Sequence, residues 1–145
     1  TVEHIGFRST VIRQFDSTPI SIPNYVFSDS SIINYSERKY RRIKWIIGVT
    51  YDTSTDQLKK ICQDIEEFLK TNNNFTVNEL YKLYVRVEKF NDSSIDILIT
   101  VFTNTNDWEK YLKIKENLAF KIKYIVEMNN SSFAFPSHSI YIEKK

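Results

Sequence analysis

The stretch Pro19–Lys44, PISIPNYVFSDSSIINYSERKYRRIK, separates two different sequence patterns and decides how the chain is divided. Short β-like runs precede it, and Pro23 ends the last of them because proline has no N–H to donate to a strand ladder. A longer strand of alternating apolar residues follows it. Between them lies a charged joint, Glu37–Arg42. The sequence therefore predicts two domains, residues 1–38 and residues 39–145.

The first domain is predicted to be a small β unit. Its apolar residues alternate over short spans, and Asp16–Pro19 has the composition of a hairpin loop. Asn24 suits a turn after Pro23, and Tyr25–Ser31 is interpreted as a connection. The predicted strands are Val2–Phe7, Val11–Phe15, Ile20–Ile22 and Ile32–Tyr35.

A β unit this small is not expected to be stable alone. Chains below about 40 residues seldom bury enough apolar surface without a disulfide or a metal, and Cys62 is the only cysteine of the chain. Burial of one Ile or Val contributes roughly 1.5–3 kcal/mol, while ordering the backbone of one residue costs about 1–2 kcal/mol. The unit must pack on the second domain or pair its strand edges with other copies of the chain. The charged joint argues against packing, so we favour edge pairing in a ring.

The second domain is predicted to have the order βαββαβ, which is a ferredoxin-like arrangement. Apolar alternation predicts strands at Ile43–Tyr51, Leu83–Glu88, Ile95–Val101 and Ile140–Ile142, and it leaves Phe75–Tyr81 unassigned.

Helical spacing predicts one helix between the first and second of these strands and another between the third and fourth. The first helix starts from a capping box at Thr53–Asp56 or Ser54–Gln57, and the second starts from a variant box at Asn106–Glu109. The first predicted apolar face comprises Leu58, Ile61, Cys62, Ile65, Phe68 and Leu69. The second comprises Trp108, Tyr111, Leu112, Leu118, Ile122, Ile125 and Val126.

Composition and motifs argue against an enzyme. Hydrophobic residues make up 41% of the 145 residues and charged residues 26%, as in a folded protein. Gly6 and Gly48 are the only glycines, so no glycine-rich phosphate loop exists, and His4 and His138 lack partners at metal-ligand spacing. Cys62 lies on an apolar helix face, where a structural thiol is expected. We predict no catalytic residue, no cofactor and no metal site.

Nucleic-acid binding is the alternative function. The net charge of +2 carries little weight, but Arg38, Lys39, Arg41, Arg42 and Lys44 form a basic cluster around Tyr40. The order βαββαβ is also that of RNA-recognition domains. Their third strand carries a basic-Gly-aromatic motif, whereas Ser94–Phe102 has no such start and contains Asp96. We therefore expect no nucleic-acid partner, and RNA binding remains the alternative.

Several segments resemble, in order and spacing, the cytoplasmic region of small-conductance mechanosensitive channels, the MscS family. The resemblance covers nearly the whole chain. One difference is that Thr71–Asn78 lacks the proline that usually precedes the second strand of the C-terminal domain in this family. The matching pieces are Gly6–Thr10, Ile22–Asn24, Ile32–Ser36, Arg41–Arg42, Ile46–Asp52, Phe135–Pro136 and Ile140–Ile142. Within them the residues that carry the family motif are Gly6, Arg8, Ser9, Thr10, Pro23, Asn24, Asn34 and Ser36.

The resemblance implies a middle β domain of Sm-like fold, followed by a C-terminal ferredoxin-like α/β domain. It implies a homo-heptameric channel of the bacterial inner membrane, whose transmembrane helices precede Thr1. The first domain would form a ring below the pore. The second would build a cytoplasmic vestibule that filters inorganic ions and small solutes through side windows.

The charged joint is our candidate for the window lining. It links the two layers of the implied vestibule, so Arg38, Lys39, Arg41 and Arg42 are hypothesised to lie near the windows. A solvated basic linker is the alternative interpretation of the same residues. Charge at a constriction biases ion choice, whereas a wide cavity is screened beyond a Debye length of ~8 Å.

Overall fold

A computed structural model describes residues 1–136 of the chain. The predicted closing strand, Ile140–Ile142, and the histidine His138 lie outside the described residues. The chain divides into two compact units, Thr1–Glu37 and a second unit that begins at Arg38. Each unit is described by itself.

The first unit is a three-stranded antiparallel sheet with the order β1 (Val2–Ile5), β2 (Ser9–Arg13) and β3 (Pro19–Pro23). The β2–β3 turn contains Ser17 with a positive φ of 71°. A salt bridge between Glu3 and Arg13 joins β1 to β2. Within the described residues β1 and β3 each have one ladder partner. The sheet therefore has two open edges and does not close into a barrel.

Two predictions for the first unit are wrong. Tyr25–Ser31 is not merely a connection, because a short helix, α1 (Asn24–Asp29), begins directly after Pro23. Ile32–Tyr35 is not a strand: no ladder includes it, and a 3₁₀ turn covers Tyr35–Glu37. A run of residues that favour strands becomes a strand only where a neighbouring strand supplies hydrogen bonds, and this segment has no such neighbour in the described chain.

The second unit contains β4 (Arg41–Val49), α2 (Thr55–Thr71), β5 (Phe75–Thr76), β6 (Tyr84–Phe90), β7 (Ile95–Thr103) and α3 (Trp108–Met128). β7 is central, with β4 on one side and with β6 and the short β5 on the other. The described elements confirm the predicted mixed α+β class with antiparallel sheets, and β5 falls in the segment that the sequence left unassigned.

The core of the second unit lies between one face of this sheet and the two helices. Odd-numbered residues of β4 and β7 are paired on that face, as in Ile43↔Val101 and Val49↔Ile95. The opposite face, called the outer face below, carries Arg42, Lys44 and Ile46 of β4 and Leu98, Thr100 and Phe102 of β7. The buried helix residues include Ile61, Ile65, Leu69, Leu118, Ile122 and Val126.

The starts of both helices decide between the predicted caps. Ser54 caps α2 in a complete capping box, because its hydroxyl accepts from the Gln57 amide while the Gln57 side chain accepts from the Ser54 amide. The N-cap of α3 is Asp107, whose carboxylate accepts from the Lys110 amide at 2.7 Å. The predicted box at Asn106 is therefore off by one residue.

The buried face of α3 was predicted too broadly. Leu118, Ile122, Ile125 and Val126 are buried as expected, but Trp108 is 57% and Leu112 43% exposed. Tyr111 and Ile114 in the same turns are half-buried and pack against the core, so Trp108 and Leu112 lie on the outer side of the helix there. None of the helices in residues 1–136 combines the length and the apolar character needed to cross a bilayer.

Candidate functional site

The first unit contains a cluster, called the turn staple below, in which Asn24 holds the β1–β2 turn. Its side-chain amide donates to the carbonyl oxygens of Gly6 at 2.9 Å and Phe7 at 3.2 Å. Its side-chain oxygen accepts from the Thr10 hydroxyl at 2.8 Å, and its backbone N–H donates to the Arg8 carbonyl at 3.0 Å. One asparagine thus satisfies three carbonyls and one hydroxyl.

Local sequence explains why the staple forms here. Pro23 ends β3 opposite Ser9, where β2 begins, and this register places the following residue, Asn24, beside the turn. The Gly6 amide donates to the Ser9 carbonyl at 2.9 Å, which closes the turn. A Cβ added at Gly6 would lie 2.9 Å from that carbonyl oxygen, closer than real Cβ contacts occur. Glycine is therefore needed for close approach.

The turn staple brings together most of the predicted motif residues. Gly6, Ser9, Thr10, Pro23 and Asn24 come from two separate segments and meet there, and Arg8 contributes its backbone carbonyl. Asn34 and Ser36 form a local turn of their own, in which the Asn34 side-chain oxygen accepts from the Ser36 amide at 3.0 Å.

The first unit has no apolar core. Every buried hydrophobic side chain of the described chain belongs to residues 43–126, and Thr10 is the one buried residue of the first unit. The aromatic ring of Phe7 stands 98% exposed at the tip of the stapled turn. Large apolar side chains that are exposed in this unit include Val2, Ile5, Phe7, Phe15, Tyr25, Ile32, Ile33 and Tyr35.

The predicted window residues point in different directions. Arg41 lies on the helix side of the sheet, where its Nε donates to the Asn106 carbonyl at 3.0 Å. Its guanidinium lies 5.0 Å from the ring centroid of Trp108 and 5.6 Å from that of Tyr111. Arg42 is exposed on the outer face.

The other cations of the joint have distinct surroundings. Lys39 is exposed, and Arg38 is partly buried and engaged in interactions of its own. Lys44 was absent from the predicted window set, yet it is exposed two residues beyond Arg42 on the same face. The period-two alternation of β4 was the signal that could have paired these two residues.

An aromatic cluster borders the outer face beside the joint. The Tyr81 ring packs edge-on against Tyr40, with 4.7 Å between centroids, and against Phe102, with 5.0 Å. The Asn78 side chain supports this contact by accepting from the Leu80 and Tyr81 amides. The sequence reasoning missed Tyr81, because its segment has no periodicity.

The side chains of the second unit do not assemble a catalytic site in the described chain. Cys62 lines an open groove of about 750 Å³ between α2 and β6, and burial raises the pKa of its thiol, which disfavours the reactive thiolate. At the groove rim, hydrogen bonds from Lys70 and Arg86 lower the pKa of Glu66. His4 is exposed on β1, and residues 1–136 contain no cluster of metal-ligating side chains.

Family models match both units in the order of the chain. The model described as "Mechanosensitive ion channel, beta-domain" matches residues 1–37. The model described as "Mechanosensitive ion channel MscS, C-terminal" matches residues 43–133. The short gap between the two matches falls in the charged joint.

Curated relatives extend the similarity over almost the entire chain. An uncharacterized MscS family protein of Aquifex aeolicus is 48% identical over 144 residues, which are 99% of this chain and 39% of that protein. The low conductance mechanosensitive channel YnaI of Escherichia coli is 34% identical over 143 residues, again 99% of this chain and 41% of that protein. The chain thus spans about two fifths of the length of these two relatives.

Solved structures share the fold at lower identity. The closed-state structure of Helicobacter pylori MscS matches 99% of this chain and 54% of that chain, with a TM-score of 0.77 and 24% identity. Arabidopsis thaliana MSL1 matches 93% of this chain and 48% of that chain, with a TM-score of 0.86 and 19% identity. These matches confirm the fold class.

Proposed function

The chain belongs to the MscS family of mechanosensitive ion channels, and we propose that it forms the cytoplasmic ring and vestibule of such a channel. The family is one of channels and not of enzymes, which confirms the prediction that no reaction is catalysed. The RNA-binding alternative gains no support from these matches. In this proposal residues 1–38 and 39–145 are the two domains, and the remainder of the channel holds them at the bacterial inner membrane.

One observation carries the proposal of a ring of copies: the first unit is folded as an open sheet without buried hydrophobic side chains. A sheet with two open edges and exposed Val2, Ile5 and Phe15 is stabilised when a second copy covers them. Contacts that repeat head to tail form a ring when the rotation between neighbouring copies closes on itself. Seven copies are what the family resemblance implies.

Assembly tests this proposal directly. Ile5 lies on edge strand β1 and is 72% exposed, so Ile5→Asp should leave the single chain folded but weaken contact between copies. Leu80→Asp is the matched control, because Leu80 is 86% exposed on the second unit. Light scattering of the full-length channel in detergent should give a smaller assembly for Ile5→Asp alone. Equal masses for the two variants would contradict edge pairing.

The vestibule is proposed to filter ions and small solutes by the charges near its windows. Of the predicted window set, Lys39 and Arg42 are exposed, and Lys44 joins Arg42 on the outer face. Arg41 is engaged by a carbonyl and two aromatic rings instead. Because charge acts over a Debye length of ~8 Å at physiological salt, exposed cations at a constriction should favour anions.

Single-channel recordings of the full-length protein test the filter. Arg42→Glu should shift the reversal potential in a salt gradient toward cation preference. Arg41→Lys keeps its charge and should leave the reversal potential unchanged. An unaltered anion/cation preference in Arg42→Glu would remove Arg42 from the window lining.

A further inference from the structure

Two neighbouring residues of the joint, Tyr40 and Arg41, are held on opposite sides of the second unit's sheet. Tyr40 packs against Tyr81, which in turn packs against Phe102 on the outer face. Arg41 reaches the helix side and donates to the Asn106 carbonyl, one residue before the Asp107 cap of α3. The chain therefore enters β4 through contacts on both faces.

The surroundings of Arg41 are specific to a guanidinium. Trp108 and Tyr111 stack with 5.4 Å between centroids and 25° between planes, and both rings lie within reach of the Arg41 guanidinium. In residues 1–136 Arg41 has no ion pair with a carboxylate, although other cations of the chain do. A planar guanidinium combines a directed N–H with stacking on aromatic faces, whereas an ammonium does not.

Helix electrostatics do not explain this position. The N-terminus of a helix carries a partial positive charge, which disfavours a nearby cation. Arg41 nevertheless contacts the start of α3, through the Asn106 carbonyl just before the helix and through the rings of Trp108 and Tyr111. The specific contacts must outweigh the unfavourable dipole, so the arrangement indicates positioning of the two elements.

We propose that Arg41 is a positioning residue that joins the start of β4 and the first turn of α3 into one rigid body. The movable part of the joint then ends at Lys39. When the joint moves, the start of β4 and the N-terminus of α3 then move together. The first residues of β4 do not separate from the sheet. This role goes beyond the proposed function, because it does not depend on assembly or on ion conduction.

Amide hydrogen exchange of the full chain tests the proposal. Arg41→Gln should speed exchange roughly five- to tenfold at the β4 start and at Tyr111, whose amide donates to the Asp107 carbonyl. Arg41→Lys should recover only part of the protection, because it restores the charge but not the planar fork. Arg42→Gln is the matched control, since Arg42 is the next residue and points to the outer face, and it should leave both sites unchanged.

A double-mutant cycle separates direct coupling from general destabilisation. Trp108 is largely exposed, so Trp108→Leu should fold normally and reproduce the Arg41→Gln effect, while Trp108→Phe keeps an aromatic face and most of the protection. The Arg41→Gln/Trp108→Leu double variant should exchange no faster than the worse single variant. Three results would each overturn the proposal. They are a double variant whose exchange rate is the product of the two single effects, an unchanged exchange rate in the first turn of α3 in Arg41→Gln, and an equal acceleration at the buried amides of α2.

Discussion

Replacing Asn24 with alanine should open the turn staple and leave the second unit intact. The substitution removes the three side-chain hydrogen bonds that Asn24 makes with Gly6, Phe7 and Thr10. A hydrogen bond contributes about 1 kcal/mol net. The staple is only partly buried, so water replaces some of the loss. We expect local opening to become about 1.5–2.5 kcal/mol easier.

Hydrogen exchange at two amides measures this change. The Gly6 amide donates to the Ser9 carbonyl and the Asn24 amide to the Arg8 carbonyl, so both report on the closed turn. Because each 1.4 kcal/mol corresponds to a factor of ten, their exchange in Asn24→Ala should be roughly ten- to sixtyfold faster than in the parent chain. The first unit has no apolar core to compensate.

Asn34→Ala is the matched control for Asn24→Ala. Asn34 is also an asparagine of the predicted motif, but within residues 1–136 its side chain accepts a hydrogen bond only from the nearby Ser36 amide. Its replacement should leave exchange at Gly6 unchanged. Equal effects of the two substitutions, or an unprotected Gly6 amide in the parent chain, would refute the staple as the element that organises the first unit.

Three further substitutions test the second unit. Glu66→Gln should reduce the loss of stability in acid, measured as the difference between urea midpoints at pH 7 and pH 3. Hydrogen bonds from Lys70 and Arg86 lower the pKa of Glu66 in the folded chain. The stabilisation by ionised Glu66 is therefore present above the unfolded pKa of about 4.3 and is lost as the pH falls through the lowered folded pKa. Ser54→Ala should cost about 1 kcal/mol at both pH values, because it removes the α2 cap, and it serves as the control for Glu66→Gln. Gly48→Ala should destabilise the fold by about 1–3 kcal/mol and so lower the thermal midpoint, because the added Cβ would lie 2.8 Å from the Cβ of Ser94. Unchanged midpoints for Gly48→Ala would contradict the close packing at that position.

In the second unit the sequence predicted those strands and helices whose apolar residues follow a regular period within the element itself. The alternation of β4 and β7 and the spacing of Leu58, Ile61 and Ile65 are local patterns, and the structure places these residues on the core face. The motif residues of the first unit were identified by resemblance, but the resemblance did not indicate that Asn24 is the residue that joins them. That contact depends on the β2–β3 register, which brings Pro23 opposite Ser9.

The predictions that failed concern contacts between elements. Ile32–Tyr35 is rich in residues that favour strands, but it has no ladder partner in the described chain. Asn106 and Asp107 are both residue types that cap helices, and the structure shows that α3 begins at Trp108 with Asp107 as its N-cap. Trp108 and Leu112 were assigned to the buried face of α3, but they point away from the core, whereas Tyr111 in the same turns packs against it.

By itself the sequence determined the two-part organisation, the helices and main strands of the second unit and the absence of a self-sufficient core in the first, because these depend on composition and short-range periodicity. Only the tertiary structure decided that Asn24 closes the β1–β2 turn and that Arg41 points toward α3 while Arg42 lies on the outer face. Adjacent strand residues always point to opposite sides of a sheet. Which of those sides becomes the interior is settled only when the helices pack against it.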